Sequence, residues 1–184
     1  MLTLNLELQK AIHQAFKEKT VSKAYYAWVW GSPRQASGIW INFLEETHNA
    51  HYIRVRVKPS SGRTAPSSTS LAETHYKCIQ TATTPLGTIS LLQLSPITGK
   101  THQLRVQCAF YNLPIIGDQT YGAFGLNRQF YKLFKEKRLY LHASTLQANF
   151  KYKGLVRSFH ASSNLPDAFT QLSTAVRMTI GEKA

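Results

Sequence analysis

The sequence predicts an α+β fold, mostly antiparallel strands with a few helices. Three observations carry this. His51 to Lys58 (HYIRVRVK) alternates, with Ile53, Val55 and Val57 on one side and Arg54, Arg56 and Lys58 on the other. Lys23 to Gly31 (KAYYAWVWG) is rich in aromatic and branched residues and closes on glycine, as strands do. Leu8, Ala11, Ile12, Ala15 and Phe16 recur at helical spacing.

The first helix is expected over about Leu4 to Lys19, with Lys17 and Lys19 in a last turn that suits cations. The strand Lys23 to Gly31 follows, then a second over Gly38 to Phe43 (GIWINF). His51 to Lys58 is a half-buried strand with a cationic outer face. Pro59 to Ser70 (PSSGRTAPSSTS) has no periodic signal and reads as a flexible polar loop carrying Arg63. Strands are expected near Glu73 to Thr81 and Gly87 to Leu94, and a helix over His102 to Tyr111. Leu113 to Gly122 is turn-rich. A further helix is expected over Leu126 to Lys137, with Arg128, Lys132, Lys135 and Lys137 among its side chains. Leu139 to Ala143, Leu146 to Tyr152 and Leu155 to Ala161 read as the last strands. No internal repeat or linker divides residues 1–184, so one domain is expected.

Charge narrows the partners. The 184 residues hold 22 Lys and Arg against nine Asp and Glu, a net charge of +13. The only aspartates are Asp118 and Asp167. Such an excess attracts polyanions, of which nucleic acid is the commonest in cells. No basic amphipathic helix stands out, which disfavours a membrane surface. Two cysteines, Cys78 and Cys108, read as reduced, core-packed thiols. The N-terminal MLTLNLELQK lacks a basic segment followed by an apolar one, so it is not read as a secretory signal. A soluble, cytoplasmic protein is expected.

Pro96 to Val106 (PITGKTHQLRV) is the densest chemistry in the chain. Gly99-Lys100-Thr101 resembles the end of a phosphate loop, but that loop needs glycine at position 94, which is Leu94. His102 and Cys108 lie six apart and no C-x₂-C or H-x₃-H pair exists, so no metal site is expected. There is no G-x-S-x-G elbow for a serine hydrolase.

The longer run Pro96 to Gly122 (PITGKTHQLRVQCAFYNLPIIGDQTYG) resembles the signature of the RluA-type RNA pseudouridine synthases, P-x-T-G-R/K-T/S-H-Q-I/L-R-V followed by P-I-x-G-D-x-x-Y. Pro96, Thr98 to Val106, Pro114, Ile115, Gly117, Asp118 and Tyr121 all fit. The family's K-x-Y-x-A-x-V-x-G is met by Lys23, Tyr25, Ala27, Val29 and Gly31. Ala72, Thr74 and Tyr76 fit A-x-T-x-Y, and Leu141, His142 and Ala143 fit L-H-A. The resemblance spans roughly Leu4 to Phe169.

It implies a mixed, mostly antiparallel pseudouridine synthase-like sheet flanked by helices. It also implies isomerisation of uridine in rRNA or tRNA, with no metal or organic cofactor. By matching, Tyr25 corresponds to the active-site tyrosine and Arg105 to the arginine that pairs with the catalytic aspartate. The family carries that aspartate in H-R-L-D-x-x-T-S-G, upstream of the first helix seen here. The chain is therefore expected to be the C-terminal portion of such a catalytic domain, truncated before its nucleophile. With its family partner absent, Arg105 is expected either to pair with another group or to be exposed in an open pocket, the pocket being favoured, and Asp118 to play a structural part in its turn. Lys100, Thr101, His102, Gln103 and Leu104 are candidates for RNA contact, although His102 and Gln103 would equally serve to pin the turn. Arg54, Arg56, Lys58 and Arg63 are expected along an RNA track. Three readings follow: an enzyme whose upstream part is missing from the chain, a non-catalytic RNA-binding protein, or a chain completed by a second copy or a complementary N-terminal piece.

Overall fold

The computed structural model describes residues 5–49, 52–58 and 68–181. Helix α1 (Leu6–Lys17) opens on Asn5, whose side chain accepts hydrogen bonds from the Glu7 and Leu8 amides. This satisfies donors that a helix N-terminus leaves free. Seven strands follow: β1 (Val21–Trp30), β2 (Ser37–His48), β3 (Ile53–Lys58), β4 (Thr69–Thr84), β5 (Gly87–Pro96), β6 (Leu141–Tyr152) and β7 (Leu155–Ser162). Helices α2 (Gln103–Phe110) and α3 (Phe124–Phe134) lie between β5 and β6, and α4 (Asp167–Gly181) comes last.

The sheet order is β3-β2-β4-β5-β1-β6-β7, and every strand pairing is antiparallel. β1 lies between β5 and β6 and is the spine of the core. Trp28 and Trp30 point to one face, where Trp28 Nε1 donates to the Phe169 carbonyl of α4 and Trp30 Nε1 to Asn127 of α3. Alternation turns Lys23 and Tyr25 to the opposite face. The main core joins Trp28, Val29, Ile89, Leu92, Leu94, Cys108, Ile115, Ile116, Tyr140 and Phe169. Burial pushes the Cys108 thiol up, in keeping with a packing role.

Beyond shifts of a few residues at element ends, as in β2 and α3, three differences from the sequence reading stand out. β4 begins at Thr69, so the loop expected over Pro59 to Ser70 is shorter; residues 59–67, with Arg63, lie outside the described residues. The strands expected at Leu139 to Ala143 and Leu146 to Tyr152 form one strand, β6, interrupted only by a bulge. Ala24 faces Thr145 and Tyr25 faces Ala143, which leaves Ser144 as the extra residue. Helix α4 was not expected. Its described apolar anchors are Phe169 and Leu172, three apart.

The turn Gly117–Asp118 depends on glycine. Gly117 has φ +77°, and a Cβ there would run into the Arg138 carbonyl oxygen. Gly117→Ala should therefore cost about 3 kcal/mol of stability. Urea unfolding would measure this, and a loss below about 1 kcal/mol would show that the turn yields.

Candidate active site

The site is built on the turn between β5 and α2. Thr98 Oγ1 accepts from the Glu73 amide at 2.9 Å and donates to Gln103 Oε1 at 2.7 Å. The same Oε1 accepts from the Lys100 amide at 3.0 Å. Gln103 Nε2 donates to the Glu73 carbonyl at 3.0 Å and to Thr74 Oγ1 at 2.9 Å. Thr74 Oγ1 in turn donates to Gln107 Oε1 at 2.6 Å, and Gln107 Nε2 donates to Asn42 Oδ1 at 2.9 Å. Thr74, Gln103 and Gln107 are buried. The two glutamines, four apart, share a face of α2 and bolt it to β4 and β2. The Gln103 amide has its donors and acceptor engaged inside the protein and pins the turn.

His102 caps α2 in a left-handed conformation, φ 53°. Its Nδ1 lies 2.9 Å from the Tyr121 hydroxyl, which also accepts from the Val55 amide of β3 at 2.9 Å. The ring nitrogen and the hydroxyl thus form one hydrogen bond whose donor follows the imidazole tautomer. Burial and the nearby Arg105 charge outweigh Asp118 and Glu46 and hold the imidazole pKa below its ordinary value.

Arg105 takes the paired one of its two expected states. It does not stand unpaired in an open pocket: Nε and Nη2 bind Asp118 Oδ2 and Oδ1, each at 2.8 Å. Its guanidinium also lies 5.1 Å from the Tyr121 ring centre. The Asp118 side chain is 1% exposed and that of Arg105 is 19% exposed. Asp118 Oδ1 further accepts from the Thr120 and Tyr121 amides at 2.8 and 2.9 Å. Burial pushes the Asp118 carboxyl up, but the Arg105 bonds and those two amides win and hold it below the usual carboxylate range. The structural part expected of Asp118 thus includes filling the fork of Arg105.

A cleft of about 360 Å³ opens beside this turn, within the roughly 300–1,000 Å³ of small-molecule sites. It brings together Tyr25, Lys100, His102, Gln103, Leu104 and Arg105, joined by Lys23 and Phe16. Thr101 is not among its walls. Leu104 is buried in the core and contributes apolar wall. The Ser144 bulge lies opposite Tyr25, a device that re-aims neighbouring side chains. Lys23 was missed as a site residue, although its place two before Tyr25 on one strand face was the signal. Its Nζ donates to the Thr98 carbonyl at 3.2 Å and lies 5.8 Å from the Phe16 ring centre. Burial holds the amine below its ordinary pKa. The described walls carry three cations, Lys23, Lys100 and Arg105, and no carboxylate.

The β3 cations do not line this cleft. Arg56 and Lys58 both bind Glu45 of β2, at 2.6 and 3.3 Å, and Arg54 is exposed beside them. Among the described residues no His, Cys, Asp and Glu cluster suits a metal, and no helix is long and apolar enough to cross a membrane.

The RNA pseudouridylate synthase family model matches residues 1–110, and the chain belongs to that family. It is 31% identical over 173 residues to tRNA pseudouridine synthase C of Pectobacterium carotovorum subsp. carotovorum, covering 90% of this chain and 44% of that protein. It is 29% identical over 161 residues to ribosomal large subunit pseudouridine synthase C of Rickettsia bellii (strain RML369-C), covering 88% and 48%. The chain thus spans about half the length of these curated relatives. The solved human RNA pseudouridylate synthase domain containing 1 superposes with a TM-score of 0.63 at 23% identity, covering 95% of this chain and 73% of that one. Human RNA pseudouridylate synthase domain containing 4 gives 0.66 at 20% identity, covering 94% and 69%. These two likenesses concern the fold.

Asp118→Asn should lower stability at pH 7 by about 2–4 kcal/mol, because it leaves Arg105 without a counter-charge. The folded carboxyl titrates below its unfolded value of about 3.9. Its contribution is therefore present above that pH and is lost as pH falls through the folded value. The gap between wild type and variant should close with acidification. Urea melts at pH 7 and at decreasing pH read this directly, and equal stability at pH 7 would refute it.

Proposed function

We propose that this chain supplies the tyrosine and arginine half of an RNA pseudouridine synthase active site, acting on uridine in ribosomal or transfer RNA. The observation that carries the reading is the single cleft lined by Tyr25, Lys100 and Arg105. A uridine must leave its stack for C1′ and both faces of the base to be reached. Tyr25 is placed to stack on the flipped uracil, and its hydroxyl to assist removal of the C5 proton. Lys100, with Lys23 beside it, offers the phosphate a point charge. Arg105 orients the carboxylate that opens the glycosidic bond. Because Asp118 already fills its fork, that carboxylate shares the guanidinium or displaces Asp118. No cofactor or metal enters this scheme.

The carboxylate is not among the described walls of the cleft, so it comes from polypeptide other than those walls. A complementary piece carrying an H-R-L-D segment is the expected source; a second copy would pair with the chain without supplying that motif, because its aspartates are again Asp118 and Asp167. The same feature supports a second reading, in which the chain binds RNA without isomerising it. We place the protein in the cytoplasm, without a membrane partner.

Two measurements test this. Tritium release from uridine-labelled RNA should appear when an H-R-L-D-bearing polypeptide is added. Tyr25→Ala should then reduce the rate by about 10²–10⁴-fold, as expected for loss of a proton-transfer group. RNA binding that occurs without any release, even with that polypeptide present, would favour the second reading. Binding by the chain should weaken with salt, by about 0.7 in log K per log salt for each phosphate held on a single strand. Salt-independent binding would remove both readings.

A further inference from the structure

A second and larger cleft, about 690 Å³, lies between α3 and the segment that leads into β6. Phe124, Arg128, Tyr131 and Lys132 share one stripe of α3, and Lys137 and Arg138 close the far side. Phe124 is 54% and Tyr131 48% exposed, so two aromatic faces are open to a ligand. Against the cations stands one carboxylate with charge to spare, Glu136, because that of Asp118 is taken by Arg105. Among the described residues Arg128, Lys132 and Lys137 make no ion pair. Arg138 is held in place, its guanidinium 5.7 Å from the Tyr140 ring centre and 5.4 Å from that of Phe169.

The floor is preorganised. Asn127 Oδ1 accepts from Trp30 Nε1 and from the Gly117 amide, both at 3.0 Å, and its Nδ2 donates to the Asp118 carbonyl at 3.1 Å. Phe130 is buried beneath, edge-on to Trp30 at 6.0 Å and stacked on Phe134 at 4.5 Å. The same Gly117–Asp118 turn that walls this cleft holds Arg105 of the first one. The two clefts therefore meet at one rigid element.

Open aromatic faces interleaved with unpaired cations are the chemistry that holds single-stranded nucleic acid: bases stack and phosphates are neutralised. We propose that this cleft is a second RNA subsite. It takes an unpaired nucleotide of the strand whose target uridine occupies the first cleft, with its base on Tyr131 and Phe124 and its phosphates on Arg128, Lys132 and Lys137. The proposal rests on the reading that the chain acts on RNA.

Fluorescence anisotropy of the whole chain with a labelled single-stranded RNA tests it. Arg128→Ala with Lys132→Ala should weaken binding about tenfold and flatten the slope of log K against log salt by about 1.4, two phosphates' worth. Tyr131→Ala should weaken binding at least fivefold, whereas Tyr131→Phe, which keeps the ring, should stay within twofold. All three side chains are exposed, and melting temperatures would verify that the variants fold. A wild-type chain that binds no RNA would remove the pseudouridine synthase reading and this subsite together. A wild type that binds, with variants of equal affinity and salt slope, would overturn the subsite alone. So would displacement of the RNA by polyglutamate at equal charge concentration, which would assign the cleft to acidic protein.

Discussion

The Asp118 carboxylate is the constraint on which the site depends. It accepts four hydrogen bonds, two from Arg105 and one each from the Thr120 and Tyr121 amides. Those bonds fix α2 against the following turn and set the position of Tyr121. Tyr121 in turn holds the β3 backbone through Val55 and the entrance of α2 through His102. A buried ion pair adds little net stability over an apolar replacement, but losing one partner is costly. Its value here is geometric, since a bidentate fork fixes distance and angle together.

Arg105 already has a carboxylate partner in Asp118, which the proposed catalytic carboxylate would have to join or displace. In the described structure it serves Asp118 while still facing the cleft. The cleft itself is cationic, because Lys23 and Lys100 stand near Arg105 without an opposing acid. Such a field favours an anion of either kind, a phosphate of RNA or an incoming carboxylate. The single arrangement therefore serves both the enzyme and the RNA-binding readings, and only chemistry at the uracil separates them.

Much of the architecture was legible because its signals are local. The alternation of HYIRVRVK and the aromatic run of β1 located strands, and the spacing of Leu8 to Phe16 located α1. The Pro96 to Gly122 signature pointed to the family and gathered eight of the cleft residues. What was not legible depends on distance. Nothing in the order of residues says that Arg105 reaches thirteen positions to Asp118 and thereby loses its vacant fork. The saturation of Gln103 depends on Glu73 and Thr74, thirty residues away. Helix α4, by contrast, was legible and was missed: Phe169, Leu172, Val176 and Ile180 recur at helical spacing, and Pro166 followed by Asp167 is a recognisable helix start.

His102 carries a conflict between local and tertiary preference. A left-handed backbone disfavours any residue with a Cβ, and glycine would occupy φ 53° without strain. Glycine would also leave the Tyr121 hydroxyl without its imidazole partner and loosen the tie between β3 and α2. The position is locally frustrated in the sense that no side chain satisfies backbone and network at once. A sequence optimised for folding alone would relax it. Retaining histidine trades conformational ease for a fixed entrance to the cleft.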